Sequence, residues 1–364
     1  MGDGASAGVA LTNLMRTLGM IVSGIWTINR VMTTMTSVER IKEYVEYDDH
    51  EAEWEVPEKD AKAGRDWPLR AKIEIKGLKV KYRDGLPLVL RGLDLVVEPK
   101  QKVGIVGRTG SGKSTLILAL MRILEMAEEA EKDAFIKIDG VKIHELGLHK
   151  LREMLVIIPQ DPFLMEGTLR SNLDPNQKFS TEEIVAGLKT VEFFSTVKNE
   201  NNSFSEIPNS SRKDGQETSL KTMRNEESSE RTSLEDKLLD MRIEKSGSNL
   251  SLGQRQLVCI ARALINRPKI LLMDEATASV DQKTDEIIQR VIMEEMKQTT
   301  ILTIAHRINT IITYDKIVVL DKGRKIEEGS PRSLIQSGGT FCAMVEDCGP
   351  NFKVEMLDVI NKFK

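Results

Sequence analysis

An α/β fold with a core of buried parallel strands, preceded by one long helix, is predicted by three observations. A glycine-rich phosphate-loop pattern directly follows an apolar run. Further unbroken apolar runs recur downstream, several of them leading into helical stretches. The first fifty residues carry apolar positions at helical spacing. A chain of 364 residues has room for one large or two medium domains. Its 52 basic and 56 acidic residues nearly balance, so no polycationic field draws it to nucleic acid. Aromatic residues are 4% of the chain, which leaves little material for base-stacking platforms. The three cysteines, Cys259, Cys342 and Cys348, form no CxxC pair, which argues against a disulfide framework or zinc site and suits a reducing compartment. Residues Met1 to Gly8 lack the charged region of a secretory signal and the arginines of a transit peptide.

Residues 9–47 are predicted as one helix. Leu11, Leu14, Leu18, Ile21, Ile25, Ile28, Met32 and Met35 alternate three- and four-residue steps, placing them on one stripe, and Val38, Ile41 and Val45 continue it with a small slip. Such a helix is about 57 Å long, well beyond a hydrocarbon core of about 30 Å. One reading is a membrane-spanning helix continuing as a cytoplasmic stalk, with Arg30, Arg40 and Lys42 on the inner side. The other is a bundle helix without membrane contact, favoured by the charge of Arg16. Residues 48–70 are acidic, contain Pro57 and Pro68 and show no period, so they are expected to form a linker.

Strands are expected at Ile73 to Ile75, Leu78 to Tyr82, Leu93 to Val97, Val103 to Val106, Phe135 to Ile138, Leu155 to Ile158, Ile270 to Met273, Thr300 to Ile304 and Lys316 to Leu320. Between about Lys198 and Leu238 the composition turns to Ser, Asn, Glu and Arg with scattered apolar residues. That stretch cannot bury enough surface to order itself and is expected to be a disordered insertion. It reads either as a passive surface loop or, through Ser211, Ser229 and Ser233 near arginines, as a site of phosphorylation.

The phosphate loop is Gly107-Arg-Thr-Gly-Ser-Gly-Lys-Ser-Thr115, matching G-x-x-x-x-G-K-[ST]. Its glycines let successive N–H groups converge on one anion, Lys113 adds a positive charge, Ser114 offers a hydroxyl to Mg²⁺, and a helix begins there with its positive dipole end. About 160 residues downstream, the apolar run Lys269-Ile-Leu-Leu-Met-Asp-Glu275 ends in two carboxylates. Asp274 is expected in the Mg²⁺ shell, and Glu275 is expected to orient or deprotonate the attacking water.

Three further segments narrow the reading. Leu250-Ser-Leu-Gly-Gln-Arg-Gln-Leu257 resembles the signature sequence of the ATP-binding cassette (ABC) family, Gln160 in Ile158-Pro-Gln-Asp-Pro162 stands where that family has its Q-loop, and His306 in Thr303-Ile-Ala-His-Arg307 follows an apolar strand as the family's switch histidine does. The resemblance covers residues 72–345 apart from the insertion. It implies a P-loop NTPase cassette: a mixed sheet core with a helical subdomain at about 161–262, inside a nucleotide-binding domain at 71–347, followed by a tail at 348–364.

Site roles follow from the resemblance, residue by residue. The backbone and side chains of Gly107, Arg108, Thr109, Gly110, Ser111, Gly112, Lys113, Ser114 and Thr115 wrap the ATP phosphates. Ser114, Gln160 and Asp274 surround Mg²⁺, while Glu275, His306 and Gln160 serve the hydrolysis. Tyr82, 25 residues before the loop, resembles the aromatic that stacks on adenine; its alternative is a strand residue packed in the sheet. Ser251, Gly253 and Gln254 of the signature contact nucleotide held by a different domain, and Asp281, in Ala278-Ser-Val-Asp281, resembles the D-loop that meets the opposite subunit. Two such domains face each other head to tail, so the chain is expected to need a second nucleotide-binding domain.

Finer matches point to one branch. The loop sequence, Met35-Thr-Ser-Val-Glu-Arg40, Trp67-Pro68 and Glu275-Ala-Thr-Ala-Ser-Val-Asp281 look like the second nucleotide-binding half of multidrug-resistance-associated (subfamily C) transporters. The stretch before Met35 then corresponds to a last transmembrane helix, residues 1–47 to the end of a transmembrane domain, and the chain to a C-terminal piece or truncated gene product. Such an assembly hydrolyses ATP on the cytoplasmic side of a membrane to export organic anions, conjugates or drugs. The alternative within the subfamily is a nucleotide-gated regulatory module of a channel or receptor. A soluble cassette ATPase of DNA repair or ribosome work would carry long coiled coils, a zinc hook or basic arms. Leu252 departs from the glycine common at that signature position, and function is expected to survive it.

Overall fold

The structure, a computed structural model, describes residues 3–46, 51–64, 66–83, 85–127, 133–196, 238–277, 280–305, 307–349, 352, 353 and 356. The chain divides into two compact units, Met1–Ala52 and Glu53–Lys364, and each is described by itself.

The first unit is helix α1, Asp3–Val45, which begins earlier and ends slightly sooner than its period predicted. It holds no proline, and its threonines are accommodated by bonding inward. The hydroxyls of Thr12, Thr17, Thr27 and Thr34 donate to the carbonyls four residues earlier at 2.8 Å. The apolar face is wider than the expected stripe. Met15, Met20, Val22, Trp26 and Val31 lie off the stripe and are exposed along with Leu14, Leu18 and Ile21. The apolar face is therefore broad, and Asn13, Arg16, Thr17, Ser23, Thr27 and Arg30 recur at helical spacing as a polar arc beside it. By length and composition Ser6–Val45 is able to cross a membrane.

In the second unit, the expected linker is corrected over most of its length. Pro57–Ala63 forms helix α2, with Pro57 in its first turn, where the missing N–H costs nothing. The helix buries no side chain, so no apolar period betrays it. It is held by polar contacts instead. The Asp60 carboxylate accepts from the N–H groups of Val56 (2.9 Å) and Gly147 (3.0 Å). The Lys150 ammonium donates to the carbonyls of Asp60 and Gly64. Trp67 is buried and its indole N–H donates to Ile138 O at 3.1 Å, so the segment before the first strand is part of the domain.

Two sheets follow. Strands β1 (Ile73–Val80), β2 (Leu90–Val97), β4 (Phe135–Ile138) and β5 (Val141–Lys142) form an antiparallel sheet in the order β2-β1-β4-β5. The runs expected separately at Ile73 and Leu78 are one strand, continued through a register shift at Gly77, whose φ of 60° suits glycine. The second sheet contains β3 (Lys102–Gly107), β6 (Leu155–Ile158), β9 (Ile270–Asp274), β10 (Thr300–Ile304), β11 (Lys316–Asp321) and β12 (Arg324–Gly329), ordered β12-β11-β3-β10-β9-β6. All its pairings are parallel except the edge strand β12. β12 was not predicted: Arg324, Lys325, Glu327 and Glu328 dominate it, because an edge strand with solvent beside it needs no apolar run. A small pair, β7 (Gly167–Thr168) with β8 (Arg242–Ile243), completes the strands described.

Alternation along the inner strands explains the layers. In β9, Leu271 and Met273 join one core, while Ile270 and Leu272 join the other. In β11, Ile317 and Val319 face the first core, and Val318 and Leu320 the second. The first core packs against α5 (Leu169–Leu173), α6 (Thr181–Thr190), α7 (Leu252–Asn266) and α8 (Gln282–Glu294). The second lies toward the antiparallel sheet, α3 (Lys113–Leu120) and α4 (Leu148–Met154). Helices α9 (Pro331–Ser337) and α10 (Thr340–Asp347) close the domain. Helix α7 runs past the expected subdomain limit at 262 to Asn266, where Arg267 adopts φ 46°. The insertion expected at 198–238 lies outside the described residues except for Leu238, as do the phosphorylation candidates Ser211, Ser229 and Ser233. In the tail, Met356 is buried in the first core and Phe352 packs beside it.

Candidate functional site

In the parallel sheet, β3, β10, β9 and β6 all end at one edge, at Gly107, Ile304, Asp274 and Ile158. That edge is where ligands gather in open α/β sheets. β3 runs straight into the phosphate loop. Gly107 has no room for a side chain, since a Cβ there would lie 2.2 Å from Leu320 O and 2.7 Å from Ser111 Oγ. Gly112, at φ 97°, caps α3 with no side-chain bond, so the first-turn N–H groups are open to an anion. The Lys113 ammonium donates to Gly107 O (2.8 Å) and Arg108 O (3.3 Å), bracing the loop from within. Burial pulls the Lys113 pKa below its ordinary value, against the attraction of Glu275 and Asp274.

β9 delivers Asp274 to the start of α3. The Ser114 hydroxyl donates to Asp274 Oδ1 at 3.3 Å, joining residues far apart in sequence. Burial pushes the Asp274 carboxyl above the usual range; the Ser114 bond opposes this, Glu275 adds to it, and Lys113 opposes it. A carboxyl whose pKa is raised by folding loses stability as pH rises from its unfolded value through its folded one. Asp274→Asn keeps an acceptor for Ser114 and removes the charge. It is expected to raise the melting temperature of the nucleotide-free chain by about 1–2 °C. A lower melting temperature at pH 7 in calorimetry contradicts this.

Glu275 follows in a left-handed conformation, φ 49°, unusual for a side chain of its size. Its N–H donates to Ile304 O at 3.0 Å, tying the turn to β10. Gln160 is exposed two residues beyond β6, whose pairing of Ile158 with Met273 brings it out beside the end of β9. Tyr82 lies beyond the end of β1, half exposed, with its hydroxyl 3.2 Å from Thr115 Oγ1. It is therefore at the flank of the phosphate loop rather than packed in the sheet. His306 lies outside the described residues; just before it, Ala305 N–H donates to Ile105 O at 3.1 Å.

The signature residues form a second group. Ser251 caps α7, accepting from Gln254 N–H (3.3 Å) while its own N–H donates to Gln254 Oε1 (3.1 Å). A Cβ on Gly253 would come within 3.3 Å of Asp281 Oδ1, so the signature abuts the start of α8. Asp281 caps that helix by accepting from Thr284 N–H, and hydrogen bonding, led by the Thr284 side chain, holds its carboxyl below the usual range. Leu252 is half-buried in the first turn of α7. Gly253 thus lies beside Asp281, and Ser251 and Gln254 bond each other, while Lys113, Ser114, Asp274 and Glu275 make a charged centre.

One residue of the site was missed by motif reasoning. Gly323, in the turn between β11 and β12, donates its N–H to Ser111 O (3.1 Å) and accepts from Arg91 N–H (2.9 Å). A Cβ there would lie 1.9 Å from Val89 O, so this turn clasps the loop to the start of β2. The Lys322-Gly323 pair after an apolar strand is the hairpin signal that marks it.

Residues 90–278 match the family model described as ABC transporter. ATP-binding cassette sub-family C member 3 of Rattus norvegicus is 42% identical over 323 residues, 89% of this chain and 18% of that protein. Bile pigment transporter 1 of Saccharomyces cerevisiae is 43% identical over 328 residues, 90% of this chain and 19% of that protein. ATP-binding cassette sub-family C member 2 of Mus musculus is 41% identical over 337 residues, covering 93% of the chain and 19% of its own length. The chain thus spans about a fifth of the length of these relatives. Among solved structures, a bacterial Atm1-family ABC exporter with ATP bound superposes with a TM-score of 0.62 at 28% identity, over 77% of this chain and 42% of that one.

Proposed function

The chain belongs to the ABC transporter family, and from that premise we propose that its cassette hydrolyses ATP to drive export across a membrane. The observation that carries the reading is the Ser114–Asp274 hydrogen bond, which unites the phosphate loop and the acidic strand end in one charged centre with Lys113 and Glu275. In this reading Gly107 to Thr115 bind the ATP phosphates, Tyr82 meets the adenine, and Glu275 acts on the attacking water, assisted by Gln160 and His306. The hydroxyl of Ser114, the carboxylate of Asp274 and the amide oxygen of Gln160 are hard oxygen donors suited to Mg²⁺, which when bound neutralises charge on the phosphates.

Ser251, Gly253 and Gln254 then serve the nucleotide of a second cassette, with Asp281 at the contact. The placing of Gly253 beside Asp281, the residue that resembles the family's inter-subunit contact, supports this division of labour. Helix α1, long and apolar enough to cross a membrane, enters a transmembrane domain, and the cassette works on the cytoplasmic face. Relatives named as sub-family C members and a bile pigment transporter support organic anions or their conjugates as cargo.

The test is ATP turnover as a function of chain concentration, with and without a partner cassette. Turnover per chain is expected to rise as cassettes pair. A strictly monomeric chain turning over at full speed, independent of concentration, overturns the split site. Vesicles holding the whole assembly then separate pump from channel: ATP-dependent uphill uptake supports export, and passive ion current contradicts it.

A further inference from the structure

Behind the turn that carries Glu275 lies a cavity of about 10 Å³, lined among others by Glu275, Thr277, Gln289, Thr303, Arg307 and Thr310. Its size corresponds to about one water molecule, and these polar groups share its walls with Met273, Ala276, Ile304 and Ala305. One wall atom stands out: Gln289 Oε1 is buried and accepts no hydrogen bond from the described residues. An acceptor in that position carries its full desolvation cost unless something donates to it. The other end of the same amide is occupied, since Gln289 Nε2 donates to Asp285 Oδ1 at 3.4 Å.

The neighbours form a connected set. Asp285 is buried, held by Gln289 and the Thr277 side chain and facing Arg307, Glu286 and the Tyr314 hydroxyl. Burial pushes its carboxyl up. Thr303 Oγ1 lies 3.1 Å from the buried Tyr314 hydroxyl, and Thr310 Oγ1 donates to Arg307 O at 2.7 Å. Both threonine oxygens thus have capacity left for a further bond. Asp285 and Gln289 stand one turn apart on α8, the helix capped by Asp281, and face the turn at 275–277 and the segment on either side of His306.

We propose that this cavity holds one structural water that donates to Gln289 Oε1, and that Gln289 and Asp285 are positioning residues for Glu275. The water and Thr277 tie α8 to the end of β9, so the left-handed turn of Glu275 is held from behind by α8 and not by its own strand alone. The inference rests on reading Glu275 as the group that acts on water. Gln289 touches neither nucleotide nor the reacting atoms; it acts through the turn.

The test has two arms. In the whole transporter, Gln289→Met keeps the length of the side chain and removes the acceptor. The expected result is a kcat lowered about tenfold with KM for ATP within about twofold, because the phosphate loop is untouched. A Gln289→Met kcat equal to wild type overturns the proposal, and so does a loss confined to KM. The second arm needs no variant: a high-resolution crystal structure of the full wild-type chain is expected to show a water within 3.2 Å of Gln289 Oε1 (roughly the hydrogen-bond limit). A dry cavity, or Gln289 Oε1 bonded to a protein group, overturns it even if the variant fails to fold. The reading of Glu275 fails on a different result, normal hydrolysis by Glu275→Gln, so the two failures are distinguishable.

Discussion

Glu275→Gln is expected to lower ATP turnover at least about 100-fold while leaving ATP affinity within about threefold. The amide matches the carboxylate in shape and still accepts hydrogen bonds, so the left-handed turn and the Glu275 N–H bond to Ile304 O are retained. What disappears is the ability to take a proton from water, a contribution confined to the transition state. Burial chiefly raises the Asp274 carboxyl, and removing the Glu275 charge takes away a lesser repulsion that adds to it, which favours retention of nucleotide. The paired state, normally ended by hydrolysis, is expected to persist and to be visible by size-exclusion chromatography with ATP. Single-turnover hydrolysis at the wild-type rate rules out Glu275 as the group acting on water.

Lys113→Ala acts on the other parameter. The ammonium donates to Gly107 O and Arg108 O and is the nearest fixed positive charge to the loop's interior. A charge-assisted bond of this kind contributes about 1.5–3 kcal/mol, so ATP affinity is expected to fall on the order of 100-fold. The pH dependence has a definite sign. Burial lowers the Lys113 pKa, so its charge is lost at lower pH than that of a solvent-exposed lysine. Wild-type affinity is therefore expected to weaken as pH rises through that depressed value, and in Lys113→Ala this part of the profile flattens. Titration calorimetry as pH is raised from neutral into the alkaline range checks both, and an affinity within threefold of wild type contradicts the assignment.

The contrast between the two variants reflects where each side chain sits. Lys113 is in the phosphate loop after β3, whereas Glu275 follows β9, on the far side of β10, and is connected to the loop through Asp274 and Ser114. Gln289 sits farther back on α8, which is why its substitution is expected to affect rate less severely than Glu275→Gln.

Legibility from sequence followed burial. Strands β3, β9, β10 and β11 are buried on both faces and so write unbroken apolar runs that are readable without neighbours. The phosphate loop is equally legible, because close backbone approach demands glycine at particular spacings. Helix α2 and strand β12 were missed for the opposite reason: one is seven residues with no buried side chain, the other a charged edge. The predicted stripe on α1 was only part of its apolar surface, since Met15, Val22 and Trp26 widen it outside the three- and four-residue steps. Tyr82 could not be placed by pattern, because exposed and packed aromatics look alike in a row of letters.

The amino-acid order by itself determined the kind of domain, the phosphate loop, the acidic strand end and the family signature, since each depends on residues within one short segment. Tertiary structure alone decided which segments meet: that Ser114 reaches Asp274, that Gly323 clasps Ser111, and that Gly253 abuts Asp281. It also decided the left-handed turn at Glu275 and the cavity behind it. The physical reason is range. Apolar period and glycine spacing act over a few residues, but hydrogen-bond partners and cavities are set by the order of strands in a sheet, which brings together positions far apart along the chain.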